Sequence, residues 1–301
     1  MSLEPRTPPR FFVIAGPTAV GKSELAVEVA KRLETEIVGA DAFQIYQGFD
    51  ILSSKPSAAL RSRVKHHLID ILPPTETCDA ARYAALAAKI IENLNCQGVT
   101  PLVVGGSGFY IDSLLRPLST LPPVDSDLRT RLASEPLESL LMELQNTDPV
   151  AYATIDRRNR RRVQRAIEVI RTTGRRFSAL QRELKSQVPG LLLNRERSDL
   201  HARINERVRW MLAHGAIQEV ACAPDLSPTA SQMIGISQIQ QLLRKEISEE
   251  ECAQLIQTAT RQYAKRQTTW FKRTGFIPFN AEGSADDAAD FFKKQLRRFN
   301  Q

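Results

Sequence analysis

Gly16-Pro17-Thr18-Ala19-Val20-Gly21-Lys22-Ser23, GPTAVGKS, fits the pattern G-x-x-x-x-G-K-S/T of a phosphate-binding loop. Its setting fits as well. The apolar run Phe11–Ala15 reads as a buried strand entering the loop. A helical pattern leaves it, with Leu25, Val29 and Leu33 on one face. In this setting the N–H groups from Gly16 to Ser23 cradle a diphosphate at a helix N-terminus, Lys22 neutralises its charge, and Ser23 offers a hydroxyl to Mg²⁺. The competing reading is a glycine-rich turn with an exposed lysine.

Outward from the loop, strand and helix patterns alternate. Glu36–Ala40 and Pro101–Val104 read as further strands, and Lys22–Leu33 and Asp79–Leu94 as helices. This predicts an α/β fold, a P-loop NTPase-like parallel sheet flanked by helices, with ligands beyond the carboxyl ends of its strands. Composition shifts after Leu115. A proline-containing stretch, 117–123, marks a boundary, and short polar helices replace the sheet pattern up to about Gln187. We expect a discontinuous catalytic core, 11–118 with 190–301, and an inserted helical subdomain, 119–189. In the second half of the core, Leu191–Leu193 returns as a strand and Asp199–Leu212 is an amphipathic helix capped by Ser198 or Asp199. A long helix starts near Ser248 with Glu251 completing a capping box. It runs to about Arg273, and Gly275 stops it before a last strand at Phe276–Phe279.

The chain has 301 residues, a formal charge of +7 and a pI near 9.4, which permits a polyanionic partner. Distribution says more than the total: Arg157 to Arg176 holds nine arginines and one acid, Glu168. Arginine without lysine suits bidentate contact with phosphate, against the alternative of a solvated helix face. Cys78, Cys96, Cys222 and Cys252 lie far apart and read as reduced, mostly buried thiols. They share no metal-ligand spacing with the four histidines. No apolar leader or membrane-length run is present, so a cytoplasmic protein with no membrane partner is expected, and a monomer.

Three strand ends carry residues fit for chemistry: the loop itself, Asp41, and Gly105-Gly106-Ser107. A carboxylate at Asp41 serves either a metal ion or a general base, or simply caps a helix. Ala42, Phe43 and Gln44 follow it and put an amide and an aromatic ring where a nucleobase can stack or hydrogen-bond. Lys55 reaches a phosphate or is solvated. Near the C-terminus, TRQYAKRQTTWFKR (Thr260–Arg273) is a helical basic stripe whose Arg261 and Lys265 share a face.

Four ordered segments together resemble the tRNA dimethylallyltransferases, also called tRNA isopentenyltransferases. They are GPTAVGKS; GADAFQIYQGFDILSSKP (Gly39–Pro56), similar to A-D-S-x-Q-x-Y-x-G-x-D-I-x-T-x-K-P; PLVVGGSGFYI (Pro101–Ile111), similar to V-G-G-T-G-x-Y; and the Thr260–Arg273 stripe. HHLIDI (His66–Ile71), Asp127–Arg129 and RRRVQRAIEV (Arg160–Val169) fall in order between them. The resemblance spans about Phe11 to Phe279 and matches the compact bacterial form. It implies transfer of a dimethylallyl group from dimethylallyl diphosphate to N6 of the adenosine immediately 3′ of the anticodon, in tRNAs reading codons that begin with U. By resemblance the loop holds the isoprenoid diphosphate with Mg²⁺ as cofactor. Asp41, Lys22 and Ser23 are catalytic. The flipped adenosine and the anticodon stem-loop meet Asp41, Ala42, Phe43, Gln44, Ser107, Arg129, Arg161, Arg162, Val163, Gln164 and Arg165.

The chain departs from the family pattern at Ala42 (serine), Ser53-Ser54 (a Gly-Thr pair), Ser107 (threonine), and Ile236-Ser237 (tyrosine and a basic residue). The rival functions are an adenylate isopentenyltransferase acting on free nucleotide, a P-loop small-molecule kinase that puts ATP in the loop, and an RNA-binding protein without catalysis.

Overall fold

Phe12–Ala15 is fully buried because strands lie on both sides of it and helices on both faces. The computed structural model describes residues 10–116, 126–180 and 188–299. In chain order the elements are β1 (Phe12–Ala15), α1 (Lys22–Arg32), β2 (Ile37–Gly39), α2 (Ala58–Arg61), β3 (His66–His67), α3 (Ala80–Cys96), β4 (Leu102–Gly105) and α4 (Gly108–Leu115). Four helices follow: α5 (Ser126–Ser134), α6 (Leu137–Thr147), α7 (Pro149–Thr154) and α8 (Arg160–Thr173). The chain then forms β5 (Gly190–Asn194), α9 (Arg197–Ala213), α10 (Ala216–Ala221), α11 (Ile236–Leu243), α12 (Glu249–Phe271), β6 (Ile277–Asn280) and α13 (Ala285–Phe299).

The strands form one parallel sheet of order β3-β2-β4-β1-β5-β6. Alternate residues of β1 face opposite layers, as a pleated strand requires. Val13 and Ala15 join a core with Tyr83, Ile111 and Ile256, while Phe12 and Ile14 join one with Val27, Ile204 and Phe292. Phe12 stacks on Phe292 with ring centroids 4.7 Å apart. Each such fully buried large side chain contributes about 1.5–3 kcal/mol. Every strand except β3 is visible in the sequence pattern. β3 is two residues long, too short for any alternation to register.

Residues 116–185 form a second compact unit. Its own core is Leu128, Leu132, Leu140, Leu144, Val163 and Ile167. α8 buries that apolar stripe and turns most of its arginines outward.

Helix starts follow local chemistry. The α12 capping box forms: Ser248 Oγ accepts from Glu251 N at 3.2 Å, and Glu251 Oε2 accepts from Ser248 N at 2.8 Å. α12 ends at Phe271, two residues before the expected Arg273. The expected cap of α9 is corrected. Glu196, not Ser198 or Asp199, caps it, accepting from the N–H groups of Ser198 (2.6 Å) and Asp199 (3.2 Å). A carboxylate is at least as good an acceptor there as a hydroxyl, and the N-terminal partial charge favours it. Two cysteines, Cys96 and Cys222, are exposed rather than buried, and all four are free. Among the described residues no helix is long and apolar enough to cross a membrane.

Candidate active site

The carboxyl ends of β1, β2, β4 and β5 converge on the phosphate loop. Ala19 and Gly21 take left-handed backbone angles, φ 64° and 104°, which curl the loop. Gly21 leaves α1 without a side-chain cap, so its first N–H groups stay available to an anion. Lys22 Nζ donates to Pro17 O at 2.8 Å across the loop. Part of Lys22 remains accessible, but its ammonium is crowded by protein. Desolvation lowers its pKa to about 8, with the Asp41 charge opposing the shift and Arg207 adding to it.

Asp41 follows β2. Its Oδ1 accepts from Phe43 N at 3.0 Å and Gln44 N at 3.4 Å, so the carboxylate turns the chain. Ser107 Oγ accepts from Ala42 N at 2.8 Å, tying the β4 turn to Asp41. Gln44 donates to Ser54 O at 2.9 Å. β4 can come this close because residue 105 is glycine: a Cβ there would overlap the carbonyl of Ala40.

Partners from the second half of the chain complete the loop. Gln267 Oε1 accepts from Thr18 N at 2.8 Å, and its Nε2 donates to Gly106 O at 2.8 Å. Arg195, just before α9, and Arg203 and Arg207 on it reach the loop. They donate to Val20 O (3.4 Å), Ala19 O (3.0 Å) and Thr18 Oγ1 (2.5 Å). These contacts hold the loop's oxygens and the Thr18 N–H on the protein side. Burial pulls Arg207 below its ordinary pKa, opposed by the charge of Asp41, and its Nε is buried without a partner among the described residues. Tyr263 on α12 sits beside Asp41 and Ser107, and burial raises its phenol.

Some of these groups line two adjoining spaces. A cavity of about 790 Å³ is bounded by Lys22, Ser23, Asp41, Gln44, Arg203 and Arg207, with Trp210 also on its wall. A smaller pocket of about 60 Å³ lies against Thr18, Asp41 and Tyr263 and is otherwise mainly apolar, with Leu52, Met211, Met233 and Ile256. The donor set suits magnesium. Ser23 and Asp41 both border the large cavity. No group of three or more His, Cys, Asp or Glu forms a cage among the described residues. Magnesium keeps several waters and relies on one or two protein oxygens plus substrate phosphates.

Within the second unit, Arg161 and Arg162 are exposed and make no ion pair among the described residues. Arg129 and Arg165 converge on the buried Glu168, at 3.3 and 2.8 Å, and the Arg129 side chain stays 54% exposed.

A profile of the IPP transferase family matches residues 44–274. The tRNA dimethylallyltransferase of Akkermansia muciniphila is 39% identical over 266 residues, 88% of this chain and 90% of that protein. The full-length tRNA isopentenylpyrophosphate transferase of Bacillus halodurans superposes with a TM-score of 0.71 at 32% identity, covering 96% of this chain and 97% of that one. A eukaryotic dimethylallyltransferase, solved acting on tRNA, gives a TM-score of 0.78 at 26% identity, over 90% of this chain and 73% of that one. The chain belongs to the IPP transferase family. Its fold is P-loop NTPase-like, and it is a prenyltransferase of the tRNA dimethylallyltransferase kind.

The sequence points to this transferase's loop, Asp41, Gln44 and Ser107, and the fold gathers all of them. Ala42 and Phe43 lie on the same turn, half-buried. One expectation for the arginine block is corrected. Val163 is 0% exposed in the core of the second unit, because it lies on the apolar side of α8, and offers no surface to a partner. Gln164 is half-buried and donates one N–H to Leu132 O at 2.9 Å, which ties α8 to α5. Lys55 is neither solvated nor free: its side chain is 1% exposed and bridges Asp50 and Asp70 at 2.6 Å each. Ile236, in place of the family tyrosine, is core, while Ser237 is exposed. Arg203, Arg207, Gln267 and Tyr263 are absent from the candidate residues read from sequence. Arg207 carries one local signal, its spacing of four from Arg203 on one face of α9.

Proposed function

We propose that this chain transfers a dimethylallyl group from dimethylallyl diphosphate to N6 of the adenosine immediately 3′ of the anticodon, in tRNAs reading codons that begin with U. The observation that carries this reading is the single cavity bordered at once by Lys22 and Ser23 and by Asp41 and Gln44. The loop N–H groups, Lys22 and Arg207 bind the diphosphate. The small apolar pocket beside Asp41 takes the five-carbon group. The flipped adenine stacks near Phe43 and hydrogen-bonds around Gln44 and Ser107. Flipping is cheap in a single-stranded loop.

The allylic C1–O bond breaks and its electron pair leaves with the diphosphate. The N6 lone pair forms the new bond to C1, and the N6 proton passes to Asp41. Lys22 and Arg207 stabilise charge growing on the leaving oxygens. Ser23 would hold Mg²⁺ when it binds, and the ion would add further stabilisation to the leaving diphosphate. Arg129, Arg161, Arg162 and Arg165 contact the phosphates of the anticodon stem-loop.

The test is a mass-spectrometric assay. Protein, Mg²⁺ and dimethylallyl diphosphate are incubated with an anticodon stem-loop carrying adenosine 3′ of the anticodon, and in parallel with AMP. A five-carbon adduct on the stem-loop alone is expected. An adduct on AMP alone would make the chain a free-nucleotide prenyltransferase. ATP turnover with no adduct on either would make it a kinase.

A further inference from the structure

Ile51–Ser54 is one part of the wall the two spaces share, beside Thr18, Asp41, Arg207 and Met211. Ser53 and Ser54 border both, Ile51 the large cavity and Leu52 the small pocket. This stretch has little regular structure of its own, and Ser54 sits at φ 53°, a left-handed angle costly for a residue with a side chain. Something must hold it. The backbone N–H groups of Ile51 and Leu52 donate to the two carboxylate oxygens of Glu219, at 2.7 and 2.8 Å. Glu219 lies on α10, 168 positions after Ile51, and borders neither space. Glycines flank the same grip. A Cβ at Gly215 would come within 2.9 Å of Ile51 Cδ1, and one at Gly235 within 2.6 Å of Leu52 Cδ1, and both take positive φ.

We infer that Glu219 is a positioning residue that fixes the wall between the large cavity and the small apolar pocket, and thereby sets the length of allylic group the pocket admits. One carboxylate satisfies two adjacent N–H groups and so fixes the direction of the stretch of chain that presents Leu52 and Ser53. Removing it frees two amides and lets the wall retreat. The size limit on the donor tail then relaxes. This inference rests on the proposed reaction for the identity of the donor.

The test compares the full chain with Glu219→Gln and Glu219→Ala. Glu219→Gln keeps one acceptor oxygen and serves as the mild variant. The readouts are amide hydrogen exchange at Ile51 and Leu52 and the ratio of Kd values for dimethylallyl and geranyl diphosphate. A ratio is insensitive to the fraction of folded protein, so a merely structural role would not move it. Binding is read whether or not transfer occurs, so failure of the proposed reaction leaves the test standing. We expect faster exchange at both amides and a preference for the five-carbon donor that falls about 10-fold, the scale on which apolar pockets discriminate chain length. Glu219→Gln should retain slow exchange at one amide and most of the preference. Faster exchange with an unchanged ratio would reduce Glu219 to a structural role and overturn the inference, as would unchanged exchange.

Discussion

The backbone N–H of Thr18 donates to Oε1 of Gln267, 249 positions away, at 2.8 Å. The same side chain donates to Gly106 O, so one buried amide joins the ends of β1 and β4. Replacing Gln267 with alanine strands both backbone groups. Each buried group left without a partner costs about 1–3 kcal/mol. Thermal unfolding of Gln267→Ala should show the loss, and diphosphate affinity measured by calorimetry should fall with it. Unchanged affinity would mean the loop holds its shape alone.

Asp41→Asn removes the proton acceptor but keeps an oxygen able to cap the Phe43 turn. Turnover should fall roughly 10²–10⁴-fold, while stem-loop binding by filter retention stays as in the parent. Full turnover would remove Asp41 from the base role.

Lys22 has its pKa lowered to about 8 by burial, and a bound diphosphate supplies the counter-charge that raises it again. As pH rises through 8 the free protein loses this proton, and ligand binding restores it. Calorimetry at pH 8.5 in buffers of different ionisation enthalpy should reveal proton uptake, which vanishes in Lys22→Met. Because Lys22 is a base held below its unfolded value of 10.5, the unfolded chain binds more protons between about 8 and 10.5, and stability gains from Lys22 as pH rises through that window.

Arg161 and Arg162 are exposed arginines of α8 without ion-pair partners among the described residues, so they should carry the electrostatic share of RNA binding. The double Arg161→Ala, Arg162→Ala variant should flatten the slope of log affinity against log salt by about 0.7–0.9 for each phosphate that is no longer neutralised. Val163→Ala should act differently, through stability of the second unit, because that side chain is core. An unchanged slope in the arginine variant would make α8 an ordinary solvated face.

Gly105→Ala has no escape, since the added methyl meets the backbone of Ala40 rather than a side chain that can turn. Overpacking in a core costs typically about 1–3 kcal/mol, and here both the unfolding midpoint and turnover should fall together. A stable, active variant would show that β2 and β4 can separate.

The parts of the site legible in sequence are those built from contiguous residues. The loop, Asp41 with its turn, and Gly105–Ser107 each carry a local conformational demand, a tight curl or a close approach, that limits which residues can stand there. Gln267, Arg203, Arg207 and Glu219 carry no such mark. Each looks like a solvated polar residue on an amphipathic helix, and only the crossing of α9, α10 and α12 over the sheet gives it a backbone or loop partner. The cap of α9 is ambiguous in sequence for a related reason: Glu196, Ser198 and Asp199 stand within four residues of one another, and each carries an oxygen able to accept from the first turn. Val163 shows the opposite difficulty, an apolar residue inside a basic motif whose burial follows from helical phase rather than from its neighbours in sequence.

The central strand pairs with β4 on one side and, on the other, with β5, which arrives some 175 residues later. A nascent chain that has emerged only through α8 therefore holds a phosphate loop whose oxygens still lack Arg195, Arg203 and Arg207, and whose Thr18 N–H still lacks Gln267. The loop is among the first elements made and among the last to be finished. Ligand affinity should thus switch on late in synthesis, when the C-terminal helices close over a sheet that has waited for them.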